Sequence, residues 1–206
     1  MDARIQTQLI EYGVAALTLP GQDEAGDLSL VVSGPTGVLV AAMDGLGHGA
    51  EAAAAARTAA SVLRRHAAEP LAGLAQRCHE ALRGSRGAVM SLAWFDGAAG
   101  TIGWLGVGNV AGVLLRRSPR PLEMLTLRAG VLGDRLPTLI SESLPIEPGD
   151  TLIFATDGVR SGFAFGLALG NGSAVQHMAD QILERYAPRT DDALVLVARY
   201  LGASGG

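Results

Sequence analysis

Two aspartates stand at the open end of a predicted β-hairpin. Residues 28–32 and 38–42 are apolar runs, and the turn Gly-Pro-Thr-Gly at 34–37 joins them. Proline presets the dihedral of a turn, and glycine tolerates the conformations beside it. If the turn centres between residues 35 and 36, Asp27 lies directly opposite Asp44, with the two Cβ atoms roughly 4.5–5.5 Å apart.

Two facing carboxylates repel each other unless a proton or a cation lies between them. Hard divalent cations such as Mg²⁺ and Mn²⁺ prefer carboxylate, carbonyl and water oxygens, so this pair predicts a metal site. The alternative is that Asp27 and Asp44 are solvated strand ends, and the hairpin alone leaves both interpretations open.

The composition excludes several classes of protein. The chain has 206 residues, of which 49% are hydrophobic and 17% charged, and its net charge is −4. We expect a compact globular protein that does not bind nucleic acid, because phosphate backbones require clustered basic residues. All sixteen basic residues are Arg, which excludes a P-loop, and the single cysteine, Cys78, excludes a disulfide framework.

Neither a leader sequence nor a membrane span is predicted. The N-terminal residues alternate apolar and polar types and lack an apolar signal core. No window approaches about 18 uninterrupted apolar residues. We therefore expect a cytoplasmic protein with one domain over residues 1–201 and a disordered glycine-rich tail over 202–206.

The chain predicts many strands and few helices. Period-two alternation and turn signals favour strands, whereas alanine-rich or amphipathic runs favour helices. Hairpin-connected strands in such number exceed one small sheet, so we predict an α/β fold, an α/β/β/α sandwich of two packed antiparallel sheets flanked by helices. The predicted strands are 4–10, 14–19, 28–32, 38–42, 88–95, 101–107, 110–116, 122–128, 139–144, 151–156 and 193–200, and the predicted helices are 49–68, 70–84 and 173–186.

Two further aspartates lie at predicted strand ends. Asp157 follows the strand 151–156, and Asp191 precedes the strand 193–200. A helical crossover between antiparallel neighbours brings the end of the first strand beside the start of the second. Four aspartates at one rim of a sandwich would form a site for two metal ions.

Four short motifs resemble, in their order, those of the PPM metal-dependent serine/threonine phosphatases. The motifs are GD at 26–27, DGLGHG at 44–49, TDGV at 156–159 and TDD at 190–192. The DGxGHG form resembles the bacterial SpoIIE/RsbU/RsbX branch, and GVGN at 106–109 with AGVLGDRLP at 129–137 resembles its stressosome phosphatases. The resemblance covers nearly the whole chain.

The resemblance implies the α/β/β/α fold, two Mn²⁺ or Mg²⁺ ions and specific ligands. Asp44 would bridge both ions, the Gly45 carbonyl would bind one, and Asp157 with Asp191 would bind the other. Asp27 would be a ligand or would accept a hydrogen bond from metal-bound water. A water activated by the metals would then attack phosphorus in line, without a phosphoenzyme.

Other polar residues lie near the motifs. His48 is a candidate general acid, and the alternative is that it caps or orients the start of the helix at 49–68. Asp192 is predicted to orient Asp191 or to cap its strand, and the alternative is that it is a metal ligand. Asp150 and Asp96 are predicted to serve turns. Asn109 is predicted to support the site, and the alternative is that it only serves a turn.

Two departures from the wider family concern the substrate. Residues 5–26 contain no basic residue, although many members carry an arginine shortly before the first acidic motif to hold phosphate. Only 48 positions separate Asn109 from Asp157, which leaves no room for the flap subdomain of larger members. An open site of this kind predicts a folded partner as substrate.

The resemblance implies that the substrate is a phosphorylated STAS-domain stressosome protein. Two alternatives stay open at this point. The chain could be a pseudophosphatase that acts as a binding module, although it keeps all of the motif aspartates. It could also hydrolyse small phosphoesters, although no basic cluster forms a pocket for them.

Overall fold

The protein was analysed as a computed structural model, which describes residues 5–6, 9–117, 122–164 and 174–202. Twelve strands and three α-helices follow one another along this part of the chain. The strands are β1 (Ile5–Gln6), β2 (Ile10–Leu17), β3 (Asp27–Ser33), β4 (Gly37–Gly45), β5 (Ala88–Asp96), β6 (Thr101–Val107), β7 (Ala111–Leu115), β8 (Glu123–Met124), β9 (Leu127–Arg128), β10 (Glu142–Pro145), β11 (Thr151–Ala155) and β12 (Ala193–Tyr200). The helices are α1 (Ala50–His66), α2 (Leu71–Ala81) and α3 (Val175–Tyr186), and a short 3₁₀ helix spans Ser161–Ala164.

The strands form two sheets. The first sheet has the order β1-β2-β12-β11-β7-β8, and the second has the order β10-β6-β5-β4-β3. Helices α1 and α2 cover the second sheet, and α3 lies on β2 and β12 of the first. The predicted α/β/β/α sandwich is therefore confirmed, with one difference, since β9 pairs in parallel with the end of β6.

Three apolar clusters separate the four layers. Leu63 and Leu74 of the helices pack on Met43 and Met90 of the second sheet. Phe95 and Phe154 belong to the cluster between the two sheets. Met178 and Ile182 of α3 pack against the first sheet. The alanines of α1 are buried against the second sheet, because a small side chain allows the helix to approach the strands closely.

The hairpin of β3 and β4 has the predicted register. Asp27 pairs with Asp44, and Ser33 pairs with Val38 at the other end of the ladder. The Gly34 amide donates to the Gly37 carbonyl at 2.8 Å and closes the turn. The turn therefore sets which face each residue occupies, and it places both aspartates at the same end of the sandwich.

The predicted strands 4–10 and 14–19 were wrong in their bounds. The structure has a short strand β1 over Ile5–Gln6 and a longer strand β2 over Ile10–Leu17, and Gly13 lies within β2 instead of separating two strands. A Cβ atom added at Gly13 would lie 2.5 Å from the backbone of Gln176 in α3. The glycine thus allows close packing of a helix on the strand. Residues 1–4 and 7–8 lie outside the described residues.

The predicted strand 122–128 is divided between the two sheets. Strand β8 pairs with β7 of the first sheet, whereas β9 pairs with β6 of the second. Leu125 lies between them and is buried in the cluster that separates the sheets. The chain crosses from one layer to the other at this point, so a continuous apolar pattern does not form one strand.

Other predicted bounds differ less. The strand predicted over 139–144 is observed as β10, and the 3₁₀ helix was not predicted. Position 173 of the helix predicted over 173–186, and positions 203–206 of the predicted tail, lie outside the described residues. Cys78 is fully buried, and burial raises the pKa of its thiol to about 12, as expected for a packing residue.

Among the described helices, none is both long and apolar enough to cross a membrane. The cytoplasmic location inferred from the sequence stays a prediction.

Gly13→Ala tests the packing of α3 on β2. We expect the variant to lose about 1–3 kcal/mol of unfolding free energy, because the new methyl group must displace the helix backbone. Gly73→Ala is the control, since a Cβ atom there would lie 3.7 Å from its nearest neighbour, Glu69. This helical substitution should stabilise by roughly 0.5–1 kcal/mol. Equal effects in urea unfolding would contradict the packing argument.

Candidate active site

An open cavity of about 520 Å³ lies where the ends of several strands meet. Its walls include five aspartates, two of them from the β3–β4 hairpin and three from the segments that adjoin β11 and β12. The lining residues are Asp27, Asp44, Leu46, Gly47, His48, Val89, Gly108, Asn109, Ala129, Gly130, Val131, Asp157, Asp191 and Asp192. The structure therefore brings together the aspartates that the sequence predicted. Asp27 and Asp44 come from the second sheet, and the others come from segments that adjoin the first sheet.

Asp27 and Asp44 are the two most enclosed carboxylates of the predicted metal set. Asp27 is 8% exposed, and Asp44 is partly buried. Burial raises the pKa of Asp27 to about 7, and the surrounding aspartates add to the effect. Burial also raises the pKa of Asp44 to about 8, followed by the repulsion of Asp27. Without a cation, the pair therefore retains protons near neutral pH.

Thr156 fixes Asp27 across the junction of the two sheets. The Thr156 hydroxyl donates to Oδ2 of Asp27 at 2.6 Å, and it accepts from the Leu194 amide at 2.8 Å. Thr156 is 1% exposed, so both bonds are shielded from water. The sequence predicted no role for this residue beyond its place in the TDGV motif, because its partner lies 129 positions away.

Asp157 and Asp191 are exposed and are oriented by their neighbours. Asn109 donates through Nδ2 to Oδ2 of Asp157 at 2.8 Å, a contact that agrees with its predicted supporting role. The amide of Asp192 donates to Oδ1 of Asp191 at 2.9 Å. As predicted, β11 and β12 are antiparallel neighbours, and this pairing brings the two aspartates to the same rim.

Asp192 connects the site to the backbone. Its two carboxylate oxygens accept from the amides of Leu19 and Gly26, each at 2.7 Å. Gly26 precedes β3 of the second sheet, whereas Asp192 precedes β12 of the first. The buried side chain of Asp192 thus secures the segment that carries Asp27. This contact adds to its predicted role of orienting Asp191.

The glycines of both DG pairs are required by the packing of the chain. A Cβ atom at Gly45 would lie 2.0 Å from the Ala52 carbonyl oxygen of α1. A Cβ atom at Gly158 would lie 1.9 Å from the Asp192 carbonyl oxygen. In both pairs it is neighbouring backbone that approaches the glycine. Gly45 does not line the cavity, and metal binding by its carbonyl stays a prediction.

His48 lies at the mouth of the cavity and is exposed. The N-cap position of α1 is occupied by Gly49, and the helix has no side-chain cap at that residue. The position of His48 therefore favours contact with a ligand over helix capping. Its role as a general acid stays a prediction.

Two acids that we assigned to turns have that role. Asp150 is buried and accepts from Arg116 Nη1 at 2.7 Å and from two backbone amides. Asp96 accepts from the amides of Ala98 and Ala99 in the β5–β6 turn. Neither side chain lines the cavity.

His79 has a structural role. It is buried, and its Nδ1 accepts from the Gly133 amide at 3.1 Å, so α2 holds the loop that contains Ala129 and Gly130. His66 pairs with Glu69 on the surface at 2.9 Å. Neither histidine lines the cavity.

The carboxylates fit hydrated divalent cations better than a compact zinc centre. In the described part of the chain, no three histidine, cysteine or acidic side chains form a closed ligand cluster. Mg²⁺ is commonly held by one or two carboxylates and keeps several waters, whereas zinc takes about four close protein ligands. The buried pair of Asp27 and Asp44 also gains most from a cation, because a cation favours the ionised form of both carboxyl groups.

Two packed sheets with flanking helices are the architecture of the PP2C-type phosphatases. The family model for stage II sporulation protein E (SpoIIE) matches residues 34–201. The chain therefore belongs to the SpoIIE family and is a PP2C-type serine/threonine phosphatase.

Several relatives resemble the chain over almost its whole length. The phosphoserine phosphatase RsbX of Bacillus subtilis (strain 168) is 23% identical over 199 residues, with 94% of this chain and 96% of RsbX covered. A solved structure of RsbX with magnesium has a TM-score of 0.85 at 21% identity and covers 95% of this chain and 97% of its own. A structure from the bacterial stressosome, described as a modular system adapted to control secondary messenger signalling, has a TM-score of 0.86 at 30% identity and covers 92% and 99%.

The stability of the metal-free protein should fall as the pH rises. The unfolded chain ionises Asp44 near its ordinary pKa of 3.8, whereas the folded protein keeps it protonated up to about pH 8. Between these values the folded state binds more protons, so unfolding becomes easier with increasing pH. In EDTA at pH 8, Asp44→Asn should therefore unfold at least about 2–4 °C above wild type, a gain of about 1 kcal/mol or more.

The difference in melting temperature between Asp44→Asn and wild type should shrink toward pH 4, where residue 44 is neutral in both folded proteins. Mn²⁺ should raise the melting temperature of wild type but not that of Asp44→Asn. Asp96→Asn is the control, because this acid lies in the β5–β6 turn outside the cavity. A variant that is less stable than wild type in EDTA at pH 8 would contradict the repulsion argument.

Thr156→Val should show how far one hydroxyl holds the two sheets together. The substitution keeps the shape but leaves the Asp27 carboxyl and the Leu194 amide without this partner, so we expect a loss of about 1–3 kcal/mol. Thr156→Ser keeps the hydroxyl and should lose less than half as much. Equal losses in denaturant unfolding would mean that the methyl group matters and the hydrogen bonds do not.

Proposed function

We propose that the chain is a metal-dependent phosphoserine/phosphothreonine protein phosphatase that acts on folded, phosphorylated STAS-domain proteins of a stressosome and resets a bacterial stress-signalling switch. The observation that carries the proposal is the convergence of five aspartates on one open cavity at the junction of the sheets. Similarity to RsbX and to a stressosome structure supports the class of substrate.

Two divalent cations, Mn²⁺ or Mg²⁺, are the proposed cofactors. Asp27, Asp44, Asp157, Asp191 and the carbonyl of Gly45 would hold them. When bound, such cations would lower the pKa of a coordinated water and stabilise charge that develops on a phosphoryl group. The solved structure of RsbX, which contains magnesium, supports the type of metal.

The residues of the chain orient this machinery. Asn109 and the Asp192 backbone amide direct the carboxylates of Asp157 and Asp191. Thr156 holds Asp27 in place from the other sheet. Fixed ligands matter because an electrostatic site stabilises a transition state only if its groups do not have to reorganise.

His48 is the proposed proton donor to the leaving oxygen of the seryl or threonyl side chain. Its imidazole lies at the cavity mouth, on the loop that follows Asp44. A positioned general acid contributes typically 10²–10⁴-fold to such reactions.

The open shape of the cavity supports a folded partner as substrate. Ala129, Gly130 and Val131 form one wall, and they belong to a loop that pairs with β5 through Leu132 and Ala88. This pairing attaches the loop to the second sheet. Asp157 and Asn109 also line the cavity and are exposed. An open rim encloses little of a free peptide, so recognition requires a complementary surface on the substrate protein.

The proposal is tested by turnover on two forms of one substrate. With saturating Mn²⁺, wild type should have a kcat/KM on an intact phosphorylated STAS-domain protein about a hundredfold above that on the excised phosphopeptide, because only the folded protein offers an extended surface. Comparable values for both substrates would reject the folded-partner proposal while leaving the phosphatase activity in place.

Two amide variants provide the controls for catalysis. Asp44→Asn should abolish turnover, since it removes a charge between the proposed cations while keeping the volume. Asp96→Asn makes the same chemical change in a surface turn and should keep wild-type activity. Metal-dependent turnover by Asp44→Asn near the wild-type rate, or none by wild type, would reject the assignment and would favour a pseudophosphatase that acts as a binding module.

A further inference from the structure

The cavity described above is strongly negative and has little positive charge of its own. Five of its lining residues are aspartates, and among the described lining residues none is arginine. The sequence contains no lysine. A phosphoryl group in the cavity must therefore be bound by cations, or by an arginine that does not line the cavity but can reach into it.

Arg86 lies behind the loop that follows Asp44 and lines the cavity. Arg86 itself belongs to the connection between α2 and β5. A Cβ atom added at Gly47 would lie 2.7 Å from Nη1 of Arg86. Gly47 is exposed, lines the cavity and has a φ of 89°, which an L side chain rarely adopts. The absence of a side chain at this position thus lets the guanidinium lie against Gly47, which itself lines the cavity.

Arg86 is held by an ion pair that is open to solvent. Its Nε donates to Oε2 of Glu51, in the first turn of α1. The side chains are 51% and 71% exposed. Exposed pairs of this kind contribute roughly 0–1 kcal/mol, so a stronger ligand displaces the carboxylate at little cost. Arg86 and Glu51 also line a second open cavity beside α1, which leaves the guanidinium room to move.

We propose that Arg86 binds the phosphoryl group of the substrate at the cavity mouth, and that it exchanges Glu51 for this group when substrate arrives. The guanidinium presents paired N–H donors that match two phosphoryl oxygens, and a dianion attracts it more strongly than one carboxylate does. Arg86 thereby supplies, from a different element, the positive charge that residues 5–26 lack.

This inference rests on the proposed phosphatase function, because it assigns the group that Arg86 recognises. It concerns affinity for the phosphoryl group and does not involve the metal ligands. The role of Arg86 and the role of the metal ligands can therefore be distinguished by measuring phosphate binding and metal binding on the same variants.

The test uses the full-length chain loaded with Mn²⁺ and inorganic phosphate as the probe. Calorimetry should show that Arg86→Ala weakens phosphate binding roughly ten- to a hundredfold, since a hydrogen bond to a charged group is lost. Mn²⁺ affinity, measured without phosphate, should not change. Arg86→Lys should recover part of the phosphate affinity, because it keeps the charge but loses the planar pair of donors.

Two further variants sharpen the comparison. Glu51→Gln removes the competing carboxylate, so phosphate should bind at least as tightly as in wild type. Arg57→Ala is the matched control, because Arg57 makes a similar exposed ion pair with Glu24 at 2.8 Å. It should leave phosphate affinity unchanged.

The kinetic arm compares p-nitrophenyl phosphate with a phosphorylated protein. The KM of Arg86→Ala should rise by a similar factor for both substrates, since the phosphoryl group is what they share. An unchanged phosphate affinity in Arg86→Ala would overturn the inference even if wild type is an active phosphatase. A loss confined to the protein substrate would also overturn it, because Arg86 would then contact the partner. If wild type has no turnover, the proposed function fails, and phosphate calorimetry still decides the role of Arg86.

Discussion

The facing carboxylates of Asp27 and Asp44 are the constraint on which the rest of the site depends. The register of the β3–β4 hairpin holds the two residues opposite each other, and burial raises the pKa of both. A fold that keeps two such groups together is destabilised by them near neutral pH unless a cation binds. The pair therefore fits a role in a cation site, because without a cation it destabilises the folded protein.

Holding this pair requires contacts between the two sheets as well as within the hairpin. Thr156 and Asp192 both belong to segments that adjoin β11 or β12, yet they bind Asp27 and Gly26 at the start of β3. These buried hydrogen bonds join the layers at the end where the cavity opens. The apolar cluster between the sheets supplies most of the packing, and the polar contacts fix the relative position of the carboxylates.

The sequence was most informative where short-range geometry decides the outcome. A four-residue turn was enough to place Asp27 opposite Asp44, and the order of the strands was enough to bring Asp157 and Asp191 to one rim. It was least informative about contacts between distant segments. The Thr156–Asp27 bond and the packing of α3 on Gly13 depend on how layers meet, and no local pattern encodes that. Likewise, the apolar run that contains Leu125 gives no sign that it crosses between sheets.

The DG pairs show why a motif and its mechanism are related indirectly. In each pair the aspartate faces the cavity, while the glycine lies against backbone, the Ala52 carbonyl in one case and the Asp192 carbonyl in the other. The glycine is thus needed to let α1, or the segment before β12, approach closely enough for the neighbouring carboxylate to reach the rim. A larger residue at Gly45 or Gly158 would move the elements that carry the ligands without altering any ligand. The motif specifies the position of the acids through packing, and the chemistry of the cavity follows from that position.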